Sequence, residues 1–246
     1  MRVLVTGISS KIGIALAQEL LYQGHGVWGI ARTHDFFKEF SKEQKFVDQF
    51  SFSLCDVTSS EDVTRVGEEM MRAQFVPDAV VLGAGVTEDD LVPDFNYKVF
   101  KRTHATNLCG ALAWVDYFLP HFKKRGSGVF VAISSTQIFH PSSTNAGYAA
   151  SKAALAMAFR NLRVRYAPEN IFFTNVYFGP VLTRKNPIKK NFFVREPYKV
   201  VPCILRALSG KQAGYYKPFF LKPLLVLSQL FPDRLIVAVL EFLRRE

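Results

Sequence analysis

Short apolar runs alternate with helical stretches through the first two-thirds of the chain. Residues 2–7, RVLVTG, are mostly apolar and end on glycine, the pattern of a strand buried on both faces. Residues 12–24, IGIALAQELLYQG, repeat apolar positions at helical spacing and stop at Gly24. Further strand candidates lie at 26–31 (GVWGIA), 50–57 (FSFSLCDV), 78–85 (DAVVLGAG), 128–135 (GVFVAISS) and 171–179 (IFFTNVYFG). Between them come a polar stretch, a Glu- and Met-rich helical segment, a long helical region through WVDYFLPHF, and a helix opened by NAGYAASKAALA at 145–156. Six strands separated by helices predict an α/β fold, a doubly wound parallel sheet with helices on both faces. No linker, repeat or low-complexity segment breaks residues 1–246 into units, so one domain is expected, with 184–246 as a loop and a C-terminal helical extension.

The pattern changes in that last quarter. KPFFLKPLLVLSQLF and RLIVAVLEFLRRE are apolar nearly all round a helical period, with Lys and Arg at the edges. A helix apolar on all sides is buried in protein or lies in lipid. Core or oligomer contact is the ordinary expectation, and a monotopic patch on a membrane surface is the alternative. Pro218, Pro223 and Pro232 cut the stretch into pieces too short to span a bilayer. The charge is just as uneven. Of the net +10, residues 184–246 supply 13 basic and 4 acidic side chains, whereas residues 1–183 hold 18 and 17. That asymmetry fits a solvated basic surface or an acidic partner. Nucleic acid is not the expected partner, because no module places stacking aromatics on a sheet or offers a recognition helix.

Composition changes the picture little. A hydrophobic content of 49% supports a sizeable core and excludes a disordered chain. Cys55, Cys109 and Cys203 are far apart and have no metal-ligand spacing, so no metal is expected and a reducing cytoplasm is the simplest location. MRVLVTG reaches glycine too soon to read as a signal peptide.

Candidate chemistry begins in the first turn. TGISSKIG follows a strand and opens a helix, the place where an open α/β sheet receives a pyrophosphate on backbone N–H groups. Gly7 would make the tight turn, Gly13 would let helix approach strand, and Ser9 and Ser10 would add hydroxyls. An ordinary β-to-α turn with a Ser cap reads the same residues without a ligand. The second strand ends at Arg32, with no carboxylate there to bond a ribose 2′-hydroxyl, so a 2′-phosphate and NADP(H) are favoured. Asp35, three residues on, keeps NAD(H) open. Tyr148 and Lys152 are helical neighbours at i and i+4. They are either a surface Tyr with a snorkelling Lys or an ammonium holding down the pKa of a phenol.

Together these residues resemble the short-chain dehydrogenase/reductase family over residues 1 to about 184. TGISSKIG is similar to its glycine-rich turn, Asp56-Val57 to its adenine-contacting pair, and LGAG at 82–85 to its Asn-Asn-Ala-Gly strand. Asn107 in TNLCG, ISS at 133–135, YAASK at 148–152 and NVYFGPVLT at 175–183 follow in the family's order. The resemblance implies a Rossmann-like domain, a homo-oligomer, and an oxidoreductase acting on a small carbonyl or alcohol. It implies that Gly7, Ser9, Ser10, Lys11, Ile12, Gly13, Arg32, Asp56, Val57, Gly83, Ala84, Gly85, Gly179, Val181 and Thr183 surround the nucleotide. Asn107, Ser135, Tyr148 and Lys152 would be catalytic, Tyr148 and Lys152 also touching the cofactor. Three departures stand out: Lys11 replaces a glycine of the turn, Leu82 and Gly83 replace two asparagines, and Phe178 replaces a proline.

In that reading Tyr148 exchanges the proton and Lys152 lowers its pKa and bonds the ribose. Ser135 polarises the carbonyl, with Ser134 beside it as a rival hydroxyl, and Asn107 holds a water in a proton relay. Gln137, Ile138, Phe139 and Phe178 would meet an apolar substrate, and His140 would line the pocket or the surface. The basic segment TRKNPIKKNFFVREPY suits an anionic or carrier-bound tail, or is simply a solvated lid. A dinucleotide-binding regulator without turnover is the competing reading. The C-terminal segment leaves peripheral contact with a membrane open.

Overall fold

The computed structural model describes residues 1–34, 48–182, 195–218 and 221–237. Seven parallel strands form one sheet: β1 (Arg2–Thr6), β2 (Gly26–Ala31), β3 (Phe50–Leu54), β4 (Ala79–Leu82), β5 (Gly128–Ser135), β6 (Ile171–Phe178) and β7 (Gly214–Lys217), in the order 3-2-1-4-5-6-7. The helices are α1 (Lys11–Tyr22), α2 (Ser60–Arg72), α3 (Tyr97–His104), α4 (Gly110–Arg125), α5 (Ala146–Tyr166), α6 (Pro197–Ala207) and α7 (Leu221–Ser228).

Successive strand residues point to opposite faces, and here both faces are covered, so both carry apolar residues. Val3 and Val5 join the layer under α1 and α6, with Leu16, Leu20, Val200 and Ile204. Leu4, Val80 and Phe130 join the layer under α2, α4 and α5, with Val66, Trp114, Phe118 and Phe159. The doubly wound parallel sheet is as expected.

The last quarter corrects the sequence reading. GYYK at 214–217 is a seventh strand, paired in parallel with β6, and α6 packs its apolar face on α1. Much of the extension therefore belongs to the main core. The strand escapes a pattern reading because it has four residues and lies in a stretch whose polar neighbours carry no alternation. Its outer neighbours differ again: Leu225 is buried, while Val226, Leu227, Leu230, Phe231 and Leu235 are exposed.

The sheet order reverses between β1 and β4, which open a crevice at their C-terminal ends. Most of the described candidate residues follow the C-terminal ends of the strands or lie on α5.

Candidate active site

Gly7 adopts φ 72°, and a Cβ there would lie 2.7 Å from the Ala84 backbone at the end of β4. A Cβ on Gly13 would lie 2.6 Å from the Gly7 carbonyl, so both glycines are needed for strand, turn and helix to close together. Ser10 caps α1 by accepting from the Gly13 N–H at 3.0 Å. Among the described residues, the backbone N–H groups of Ser9, Lys11 and Ile12 have no acceptor. Three free donors at a helix N-terminus are the chemistry of an anion site. Ser9 and Ser10 are exposed, and Lys11 and Ile12 partly so.

Arg32 is exposed just past β2 and makes no hydrogen bond or ion pair among the described residues. Asp56 accepts from the Thr58 N–H and hydroxyl at 2.9 and 2.8 Å, closing an Asx turn. Val57 is buried against Gly110 at the start of α4. Gly83, Ala84 and Gly85 follow β4. Where asparagines were absent, Thr6 does comparable work: its hydroxyl accepts from both the Gly83 and Ala84 N–H groups at 3.0 Å. Gly179 and Val181 follow β6, whereas Thr183 and Asp35 lie outside the described residues, as do residues 184–194 of the basic segment.

The structure brings Ser135, Tyr148, Lys152 and Asn107 together. Ser135 ends β5, and Tyr148 lies in the first turn of α5, one turn ahead of Lys152. Burial pushes the Tyr148 phenol above its ordinary value, and the Ser135 and Thr87 hydroxyls pull part of the way back. Ser134, the rival hydroxyl, is buried without a hydrogen-bond partner among the described residues and makes no comparable contribution to Tyr148. The Lys152 ammonium lies 6.0 Å from the Tyr148 ring centre and donates to the Ile133 carbonyl at 2.7 Å. Lys152 is 5% exposed, and desolvation brings its pKa down to about 8. Lys152 is not among the groups that shift the phenol here. The phenol lies above its ordinary value, and the ammonium is engaged by a carbonyl.

Asn107 sits in a π-helical turn, Ala105–Cys109, between α3 and α4. Its side chain clamps the segment after β4: Oδ1 accepts from the Val86 N–H at 2.7 Å, and Nδ2 donates to the Val86 carbonyl and to Ser151 Oγ. Gly85 passes so close that an added Cβ would lie 3.2 Å from Asn107 Oδ1 and 3.5 Å from Lys152 Nζ. Single π turns are frequent at functional sites.

Two residues were missed in the sequence. Thr87 lies beside the Tyr148 hydroxyl. Asp90 is fully buried, and its two carboxylate oxygens accept from the Ala146 and Gly147 N–H groups at 2.6 and 2.7 Å, capping α5 from 56 residues away. The Asp90 and Leu91 N–H groups return the tie by donating to the Thr144 carbonyl. Gly147 is needed for this, since its Cβ would lie 2.5 Å from Asp90 Oδ2. Asn145, at the conventional cap position, makes no side-chain cap.

Gln137, Ile138, Phe139 and His140 line a cavity of about 350 Å³ with Ala149, Ala153 and Asp233. The cavity borders α5 along Ala149, Ala150 and Ala153, and Ser135, Tyr148 and Lys152 do not line it. Phe178 is not part of it: it pairs with Ser135 across the sheet and packs in the core beside Val176. Tyr177, its neighbour in sequence, stacks on Tyr216 at 4.5 Å, with Phe139 at the edge of the stack.

The family model described as short chain dehydrogenase matches residues 1–191. An uncharacterised oxidoreductase of Staphylococcus haemolyticus is 30% identical over 84% of this chain and 90% of its own. A fatty acyl-CoA reductase of Acinetobacter baylyi is 30% identical over 73% of this chain, which spans 62% of that protein. A short-chain dehydrogenase from Streptomyces avermitilis superposes with a TM-score of 0.74 at 22% identity, over 87% of this chain and 88% of that one. A closed serine dehydrogenase complexed with NADP+ superposes with a TM-score of 0.78 at 21% identity, over 87% and 90%. The two superpositions show the fold, and the sequence matches show its lineage: this chain belongs to the short-chain dehydrogenase family of oxidoreductases.

Proposed function

We propose that the protein interconverts an apolar carbonyl compound and its secondary alcohol using NADP(H). The observation that carries this reading is the Tyr148 phenol, flanked by the Ser135 and Thr87 hydroxyls and backed by the buried Lys152. The dinucleotide fits the residues present. The free N–H groups of Ser9, Lys11 and Ile12 would take its diphosphate, and Arg32, without a partner, would take a 2′-phosphate. Asp56 and Val57 would flank the adenine, while Gly83, Ala84 and Gly85 leave backbone room. Gly179, Val181 and Thr183 would meet the nicotinamide end.

When bound, the dinucleotide supplies or accepts the hydride. The chain's own groups handle the proton. Ser135 donates to the carbonyl oxygen, and the Tyr148 hydroxyl protonates it as negative charge develops. Burial favours the neutral phenol, the form that donates a proton. Lys152 would hold the ribose and recharge Tyr148, with Asn107 placing the relay through its clamp on Val86. Gln137, Ile138 and Phe139 line the neighbouring cavity and would meet the substrate. The likeness to a fatty acyl-CoA reductase supports an apolar substrate with an anionic tail.

Titration with NADPH and NADH, read by protein fluorescence and then by turnover on a panel of apolar ketones, tests the proposal. The expected result is tighter NADPH binding, reversed in Arg32→Asp, and turnover lowered by about 10² to 10⁴-fold in Tyr148→Phe with NADPH binding kept. Equal affinity for both nucleotides removes Arg32 from the site. Binding without turnover on any carbonyl favours the regulator reading.

A further inference from the structure

Among the described residues, the stretch from α7 to Leu235 carries a cluster of exposed large apolar side chains. Leu230 is 78% exposed, and Val226, Leu227, Phe231 and Leu235 are each about half exposed, all within ten residues. Leu225 is turned inward and anchors the helix. α7 packs on β7 and on the turn Thr136–Phe139 that follows Ser135. Asp233, inside the exposed stretch, also lines the cavity formed by Gln137, Ile138 and Phe139. The apolar surface therefore adjoins the rim of the candidate substrate cavity.

We infer that this surface docks the protein onto an anionic lipid bilayer, with the cavity rim facing the lipid. Charge selects the occupant. The described part of this segment, residues 195–237, has seven basic and two acidic side chains; Lys217 and Lys222 precede the exposed residues in sequence, and Arg234 lies among them beside Asp233. A second copy seated on the same surface would bring two strongly positive segments together, whereas an anionic headgroup layer is complementary to one. Apolar side chains next to basic ones are the composition of an interfacial anchor. Among the described residues no helix is long and apolar enough to cross a membrane, so the segment would lie on the surface. For the substrate, and resting on the oxidoreductase reading, the consequence is a carbonyl compound drawn from the lipid phase. The docking itself does not depend on that reading.

Co-sedimentation of the full chain with vesicles tests this. One set is phosphatidylcholine alone and the other contains phosphatidylserine, each at low and high salt. The expected result is binding to the anionic vesicles at low salt, weakened about tenfold or more in a Leu230→Asp, Phe231→Asp double variant. That variant should keep wild-type thermal stability and NADPH affinity, since both residues are exposed. Arg234→Glu should weaken vesicle binding without changing the elution volume of the free protein. No vesicle binding, or binding unchanged by the double variant, overturns the inference. So does a dimer that the double variant converts to monomer, which would assign the surface to a second copy. Vesicle binding without nucleotide binding would sink the oxidoreductase reading and leave docking intact, and the reverse result would do the opposite.

Discussion

Lys152 combines a charge with almost complete burial. Its pKa is about 8 in the fold against an ordinary 10.5, a depression worth about 3 kcal/mol of penalty on the charged form. Below pH 8 both folded and unfolded chains hold the proton, and this group adds no pH dependence. Between pH 8 and 10.5 only the unfolded chain holds it, so the residue's contribution to stability rises with pH. Chemical denaturation of wild type and Lys152→Met from pH 7 to 10 should show wild type gaining on the variant above pH 8. A gain in the opposite direction would mean that the ammonium is stabilised where it sits. The residue types of the site were readable from YAASK and its order relative to Ser135. Their electrostatics were not, because spacing says nothing of how deeply a lysine is buried or which carbonyl it meets.

At the scale of elements, the start of α5 depends on a carboxylate from another part of the chain. Helix caps are normally sought in the residue just before the helix, and Asn145 stands there without capping. Asp90 does the capping through two N–H groups, in a buried position. Asp90→Ala would leave both donors unmet, a loss of about 1 to 3 kcal/mol for each buried unsatisfied group. Its effect on catalysis should go through Tyr148, two residues past Ala146. Turnover should fall while NADPH affinity, set at the first turn, stays near wild type. Asp90→Asn, which keeps one acceptor, should recover part of the loss. Equal losses of turnover and nucleotide affinity would instead indicate general unfolding. The link escaped the sequence reading because EDDLV contains no periodicity and the partners are far apart in the chain.

For the molecule as a whole, the last quarter divides between core and surface. The first six strands and their helices were readable from apolar runs because a sheet covered on both faces writes itself as such runs. The seventh strand and the role of α6 were not, since a four-residue edge strand and a helix with prolines at Pro197 and Pro202 give weak patterns. Val200, Val201, Ile204 and Ala207 of α6 are buried with Leu16 and Leu20 of α1. A chain ending at residue 194 should therefore fail to give a cooperative thermal transition, while one ending at residue 229 should retain it. A stable, cooperative protein from the shorter chain would show that α1 can close its layer alone.

The tie between Asp90 and the opening of α5 also limits how this protein can be recombined with its relatives. The carboxylate, the Thr144 carbonyl that receives its loop, and the missing side chain at Gly147 form one lock distributed over two distant segments. Exchanging the loop after β4 without the turn at 142–147, or the turn without the loop, separates key from lock. A crossover placed between residues 91 and 142 therefore joins halves that need not fit, whereas one placed after residue 148 inherits the lock intact.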